Sequence, residues 1–302
     1  MQINHLKIAV LGFGEAGRAF ASGWVRPEGA VVQAYDVKAA EAGHLAALRE
    51  AAEALQVALA LSNGGALAGA GLVFSLVTAD RAHEAARDSA AHIGAGTIFL
   101  DCNSCSPATK AASAEIIHSA GGRYVDVAVM APVHPKRHET PVLVSGAHAA
   151  DAIPVLEQLG MKPRLAGERV GEASSIKMLR SVMIKGLEAL TAEAMLAARK
   201  AGVEAAVLAS LQASDPGFDW EKRSAYNLER MMVHGERRAA EMREVAATLR
   251  ELGLPDRMAS AITDWQAEIA ALGLEGGEAS LAMRADRILG ALESRGRAPD
   301  AV

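Results

Sequence analysis

The sequence predicts an α/β fold in its first half, a doubly wound and mostly parallel sheet, followed by an all-helical C-terminal domain. Three observations carry this. Short apolar, β-branched runs alternate with Ala-rich helical stretches up to about residue 168, the pattern of strands joined by crossover helices. A G-x-G-x-x-G run, Gly12-Phe13-Gly14-Glu15-Ala16-Gly17, separates the first apolar run from the first helical one. After Gly171 strand signals stop, and helical periodicity continues to Arg295. The division expected is therefore residues 1–168 and residues 169–302.

The strands are predicted at Leu6–Leu11, Ala30–Tyr35, Leu72–Val77, Thr97–Asp101, Arg123–Val129, Pro141–Ser145 and Lys162–Ala166, with a short one at Val57–Leu61. Each is an apolar run of strand length. Helices fall between most of them, at Glu15–Trp24, Lys38–Leu55, Asp80–His92, Pro107–Ala120 and Ala149–Leu159. One long helical pattern runs from Ser174 to about Val203, with Ser174 or Ser175 expected as its cap. At 1.5 Å per residue it spans roughly 40 Å. Further helices are predicted at Ala205–Ser214, Glu221–Leu252, Asp256–Leu272 and Glu278–Ser294. The tail Arg295–Val302 is expected to be disordered.

Composition narrows the function classes. The chain has 302 residues and is 51% hydrophobic, enough for a sizeable core, but only 4% aromatic, so Ala, Leu, Val, Ile and Met must fill that core. A net charge of −5 with no long basic run argues against nucleic acid as the main partner. No apolar stretch reaches the length of a membrane span. The first strand and its glycine turn start close to Met1, which leads to the expectation of a cytoplasmic protein.

The glycine run is informative because of its setting. It follows a strand, opens a helix, and precedes a second strand that ends in Asp36, which is the dinucleotide fingerprint in its required context. Gly12 permits the tight turn, Gly14 lets backbone approach a pyrophosphate, and Gly17 lets helix and strand pack closely. The N–H groups of Phe13, Glu15 and Ala16 lie in the same loop, at a helix N-terminus suited to phosphate. A carboxylate at Asp36 can accept from the adenine-ribose hydroxyls and repel a 2′-phosphate, favouring NAD over NADP. Lys38 softens that preference and keeps NADP in range, and Asp36 also suits the cap of the following helix.

Ligands of open α/β sheets bind at the C-terminal ends of the strands. Val77 and Thr78 lie there and are assigned to the cofactor edge. So does Asp101-Cys102-Asn103-Ser104-Cys105-Ser106-Pro107, where Asn103 and Ser104 are expected to face a nicotinamide ribose or a substrate carboxylate, unless serines there simply cap a helix. The C-x-x-C in this stretch has no second pair and no H-x-x-x-H partner, so neither a metal site nor thiol redox chemistry is assigned. The loop from Met130 to His138 is Pro-stiffened and basic; it either holds an anionic group, with His134 the better placed histidine, or is solvated. On the long helix Lys177, Arg180, Ser181 and Lys185 share one face. That stripe is either solvated or buried for a purpose, since burial lowers a lysine's pKa toward the acid/base range.

Taken together these pieces resemble the β-hydroxyacid dehydrogenase family, which includes 3-hydroxyisobutyrate and 6-phosphogluconate dehydrogenases. The glycine motif resembles the stretch from Val10 to Ala21. The family's D-x-S-T-x-x-P segment resembles Asp101 to Pro107, its D-x-P-V-S-G-G motif aligns on Asp126 to Pro132, and its G-x-G-x-x-x-K-x-x-N motif on Gly171 to Arg180. The resemblance implies a Rossmann domain, a helical domain of the 6-phosphogluconate dehydrogenase type, a homodimer, and hydride transfer between a nicotinamide cofactor and a hydroxy acid with Lys177 as general acid/base. Ser104, Arg180, Ser181, Met130 and His134 are then substrate-side residues. Met130-Ala131-Pro132 replaces the family's S-G-G, and Arg180 replaces its Asn, which implies a different substrate shape and an arginine able to grip a carboxylate. The segment Tyr226 to Met242 resembles a branch whose C-terminal domain has carried only an unknown-function label. There His234, Arg238 and Glu241 share a helix face, either as substrate-side groups or as a salt-bridged surface. An imine or ketone reductase of the same fold, or a dinucleotide-binding sensor without turnover, are the other readings.

Overall fold

A computed structural model describes residues 6–296. The chain divides into two compact units, Met1–Met178 and Leu179–Val302.

The first unit holds eight strands: β1 (Lys7–Leu11), β2 (Val31–Tyr35), β3 (Ala58–Leu59), β4 (Leu72–Ser75), β5 (Ile98–Asp101), β6 (Arg123–Val129), β7 (Pro141–Ser145) and β8 (Lys162–Gly167). They form one sheet in the order β3-β2-β1-β4-β5-β6-β7-β8. Every pairing is parallel except β6 with β7. The order reverses between β1 and β4, so the chain switches direction where Leu11 lies beside Ser75. That reversal opens the ligand crevice of doubly wound sheets.

Period-two alternation sends side chains to two cores. Ile8, Val10, Leu72 and Phe74 face one, together with Phe20 of α1 (Glu15–Ala21), Leu48 of α2 (Ala42–Ala54), and Val155 and Leu156 of a later helix, Ala149–Gln158. Ala9, Leu11, Val73 and Phe99 face the other. There they meet Leu67 of α3 (Asn63–Leu67), Ala86 of α4 (Ala82–Ala90), and Ala114 and Ile117 of α5 (Pro107–Ser119). The helix Ala149–Gln158 is α6.

Several predicted helices are shorter or broken. The stretch 38–55 splits because Glu41 is extended: a 3₁₀ turn at Val37–Ala40 precedes α2. A second 3₁₀ turn, Ala79–Arg81, opens α4. The long helix α7 (Glu172–Lys200) begins two residues before Ser174, so neither serine is its cap. Ser174 Oγ instead donates to Asp126, and Ser175 Oγ donates to the Gly171 carbonyl. The cap comes from β6: Asp126 Oδ2 accepts from the Gly171 and Ser174 amides at 3.1 and 3.0 Å.

The second unit continues α7 and adds α8 (Glu204–Ser214), α9 (Trp220–Glu251), α10 (Arg257–Ala270) and α11 (Leu281–Gly296). Its core joins Met195 and Leu196 of α7 to Leu228, Met231 and Met232 of α9, Ile269 of α10 and Ile288 of α11. The buried Arg284 donates to the carbonyls of Gly276 and Ala225, tying the loop before α11 to α9. Arg295 belongs to α11 rather than to a disordered tail; the tail from 297 onward lies outside the described residues. Among the described residues no helix is long and apolar enough to cross a membrane.

Candidate active site

The site is built on the C-terminal edge of the sheet in the first unit. Gly12, at φ +86°, turns the chain out of β1, and a Cβ there would run into the Leu76 carbonyl. A Cβ on Gly17 would run into the Gly12 carbonyl. Around Gly14 a Cβ would meet nothing within 4 Å, and no side chain caps α1. Glu15 is exposed and Ala16 half-buried, while the Phe13 ring is wholly buried. Asp36 binds this loop directly: one carboxylate oxygen accepts from the Phe13 amide at 2.8 Å and the other from the Lys38 amide at 3.0 Å. It therefore caps the 3₁₀ turn and also pins the glycine loop. A carboxylate has about four acceptor positions, so each oxygen keeps room for a further donor. Val77 is half-buried and Thr78 exposed beyond the end of β4.

The loop after β5 is organised by Asp101, which is buried. Its Oδ1 accepts from the Asn103 amide at 3.0 Å and from Asn103 Nδ2 at 2.7 Å; its Oδ2 accepts from the Tyr124 hydroxyl at 2.6 Å. Asn103 is thus buried. Its Nδ2 also donates to Ser75 Oγ at 2.9 Å, and its Oδ1 is left with no partner. Ser106 caps α5, and Ser104 is half-buried. Lys177 Nζ donates to Ser104 Oγ at 2.6 Å, joining residues 73 positions apart in the same unit. Neither cysteine is in a disulfide, and both are buried. Burial pushes the Cys102 thiol up to about 12 against the opposing charge of Lys110. Among the described residues no group of three or more His, Cys, Asp and Glu is arranged to hold a metal.

One central residue escaped the sequence reading. Lys110 is fully buried, with Nζ 3.0 Å from Asp101, 3.4 Å from Asp126 and 2.6 Å from the Asp101 carbonyl. Burial alone pulls its ammonium down, but Asp101 and Asp126 outweigh it and hold it above the ordinary lysine value. Tyr124 is pushed well up by burial and by Asp101. The signal was present: Lys110, Ser113, Ala114 and Ile117 form the i, i+3, i+4, i+7 face that α5 buries.

The other candidates sit as follows. Met130 is half-buried, its amide donating to the Pro141 carbonyl, and His134 is exposed, preceding Pro135 through a cis peptide bond. In the second unit Arg180 is exposed. Ser181 is buried and accepts from Lys185 at 3.3 Å. His234 is half-buried. Arg238 is buried, its guanidinium held in two contacts by Glu188.

The glycine turn, the acidic end of β2 and the crevice at the β1/β4 switch define a dinucleotide-binding protein of the Rossmann class. Residues 7–167 match the family model of the NAD binding domain of 6-phosphogluconate dehydrogenase, more than half of the chain, and the protein belongs to that family. Residues 198–269 match a domain of unknown function, DUF1932. A crystal structure of a conserved hypothetical protein from Sinorhizobium meliloti is similar at 37% identity and TM-score 0.74, over 95% of this chain and 97% of that one. The 3-hydroxyisobutyrate dehydrogenase of Mycobacterium tuberculosis, solved with L-serine, shares the fold at 21% identity and TM-score 0.72, over 94% of this chain and 98% of that one. So does an imine reductase of Streptomyces aurantiacus, at 19% identity and TM-score 0.53 over 94% and 99%. An uncharacterised 28.5 kDa protein of Methanothermus fervidus is 28% identical over 174 residues, 58% of this chain and 66% of its own length. Family and fold together support an oxidoreductase that uses a nicotinamide cofactor.

Proposed function

We propose that the protein is an NAD(P)-dependent dehydrogenase acting on the CH–OH group of a hydroxy acid, with Lys177 as general acid/base. The observation that carries this reading is the Lys177–Ser104 hydrogen bond, 2.6 Å long, at the ligand edge of a dinucleotide fold. A bound nicotinamide cofactor supplies the acceptor for the hydride that leaves the carbinol carbon. The residues present fit such a group: open space at Gly14 for a pyrophosphate, spare acceptor capacity on Asp36 for ribose hydroxyls, and the orphaned Asn103 Oδ1 for a further hydroxyl donor. Lys177 then takes the hydroxyl proton in oxidation as the neutral amine and returns it in reduction as the ammonium, while Ser104 fixes the direction of its Nζ. Asp36 favours NAD. A homodimer goes with this reading, supported by the exposed Met183, Leu190 and Met258 of the helical unit.

The test is NADH formation from NAD⁺ with a panel of 2- and 3-hydroxy acids, with Lys177→Ala in parallel. Turnover on a hydroxy acid is expected, falling by about 10²- to 10⁴-fold in the variant, while NADH binding followed by fluorescence is retained. Near-normal turnover by Lys177→Ala would sink the assignment. Activity confined to ketones or cyclic imines would make the protein a reductase of the same fold, and tight NADH binding with no turnover a sensor.

A further inference from the structure

Asp101 and Asp126 are register partners on adjacent parallel strands, and both are buried, at 1% and 0% exposure. Two buried carboxylates side by side cannot both stay ionised without compensation. Lys110 is the cation placed against both, at 3.0 and 3.4 Å. The two carboxylates do different work. Asp101 shapes the loop that presents Ser104, through the Asn103 amide and side chain. Asp126 grips the first turn of α7 through the Gly171 amide, the Ser174 amide and the Ser174 hydroxyl. Ser145, itself donating to Asp126, accepts from the Ala173 amide at 3.0 Å and extends that grip. The loop that carries Ser104 and the helix turn that leads to Lys177 are thus each held by one carboxylate of a pair that shares a single ammonium.

We propose that the buried Asp101–Lys110–Asp126 cluster is a positioning device for the Lys177–Ser104 pair, and that Lys110 is the positioning residue on which it depends. This rests on the reading of Lys177 as the acid/base. Without Lys110 the two adjacent carboxylates repel each other, and either one turning away loosens the Ser104 loop or the start of α7. The ionisable groups around Lys110 are Asp101, Asp126, Tyr124, Cys102, Cys105 and Lys177, with His118 edge-on to Tyr124. The Cys102 thiol feels the charges of both Lys110 and Lys177, so the two lysines act on a common locality.

The test uses chemical labelling, which needs no substrate. Wild type and Lys110→Met are treated with trinitrobenzenesulfonate across a pH series, and modification of Lys177 and of the exposed Lys200 is followed by peptide mass spectrometry. Removing a cation from a site that keeps its carboxylates favours protonated Lys177. Its labelling midpoint is therefore expected to rise by about one pH unit, roughly tenfold in rate at fixed pH, while that of Lys200 stays. Ser174→Ala, which cuts a single Asp126 link, shifts the Lys177 profile by less and carries the test if Lys110→Met does not fold. A Lys177 profile unchanged in the variants that fold overturns the proposal and leaves Lys110 as a pin of the fold alone. In turnover, kcat is expected to fall with KM for the nicotinamide cofactor unchanged; loss confined to that KM also counts against it. Should the wild type oxidise no hydroxy acid, the dehydrogenase reading fails, and the labelling result still decides the role of Lys110.

Discussion

At the scale of single residues, Asp36 holds the glycine loop and, in the proposed reading, also sets the choice of cofactor. Its two oxygens hold the Phe13 and Lys38 amides, so it fixes the loop that would receive phosphate. In that reading its charge would oppose a 2′-phosphate on the adenine ribose. Asp36→Ser keeps a hydroxyl acceptor but drops the charge. The ratio of NAD to NADP affinity, measured by titration with the reduced cofactors, is expected to fall about tenfold or more, about 1.4 kcal/mol. An unchanged ratio would show that Asp36 only holds the loop. Asp36 was legible in the sequence because it ends a strand directly after a glycine motif. The burial of Lys110 had a signal in the face of α5, but its role did not, because nothing local shows the two aspartates beneath it to be neighbours. That neighbourhood depends on the pairing of β5 with β6, which no local pattern encodes.

At the scale of elements, α7 and α9 show a second device hidden from sequence. Lys185 and Glu188 lie three residues apart on α7; Arg238 and Glu241 lie three apart on α9. Lys185 meets Glu241 at 2.9 Å, and Glu188 meets Arg238. This crossed order is satisfied only when the two helices run antiparallel in one register, so the buried pairs specify alignment. Gln266 adds its Nε2 to Glu188 at 3.3 Å. Breaking a buried pair strands a charge. Glu188→Gln is expected to cost about 3–5 kcal/mol in chemical denaturation, and the exchange Glu188→Arg with Arg238→Glu to recover part of that loss. A cost below about 1 kcal/mol would reduce the pair to a surface-like contact. Helices α7 and α9 were legible from periodicity to within a few residues. The sheet was legible as mostly parallel, but the antiparallel β7 was not: an 11-residue link between β6 and β7 carries no tight-turn signature of a hairpin.

At the scale of the whole molecule, pH acts through histidines that the fold keeps neutral. Burial, and then the neighbouring His148, hold His118 below the ordinary imidazole value; burial does the same for His138. Because the unfolded chain binds these protons first, stability is full above about pH 6.5 and falls as the pH drops through that value toward the lowered ones. His118 is open to solvent screening and His138 partly so, so each contributes less than about 1 kcal/mol. Thermal melts at constant ionic strength should show Tm falling between about pH 7.5 and about pH 5.5, with His118→Gln flattening part of the slope. A melt profile flat across that range would mean that neither histidine is linked to folding.

The three glycines of the turn also differ in what holds them through the chain's history. A side chain at position 12 or 17 collides with backbone before any ligand is considered, so purifying selection for folding alone would preserve both. A lineage that abandoned its nucleotide would still display them. Position 14 has no such protection, since an alanine there meets only empty space. Drift would erase that glycine first once the ligand was lost, and its presence in this chain is the part of the motif that folding does not account for.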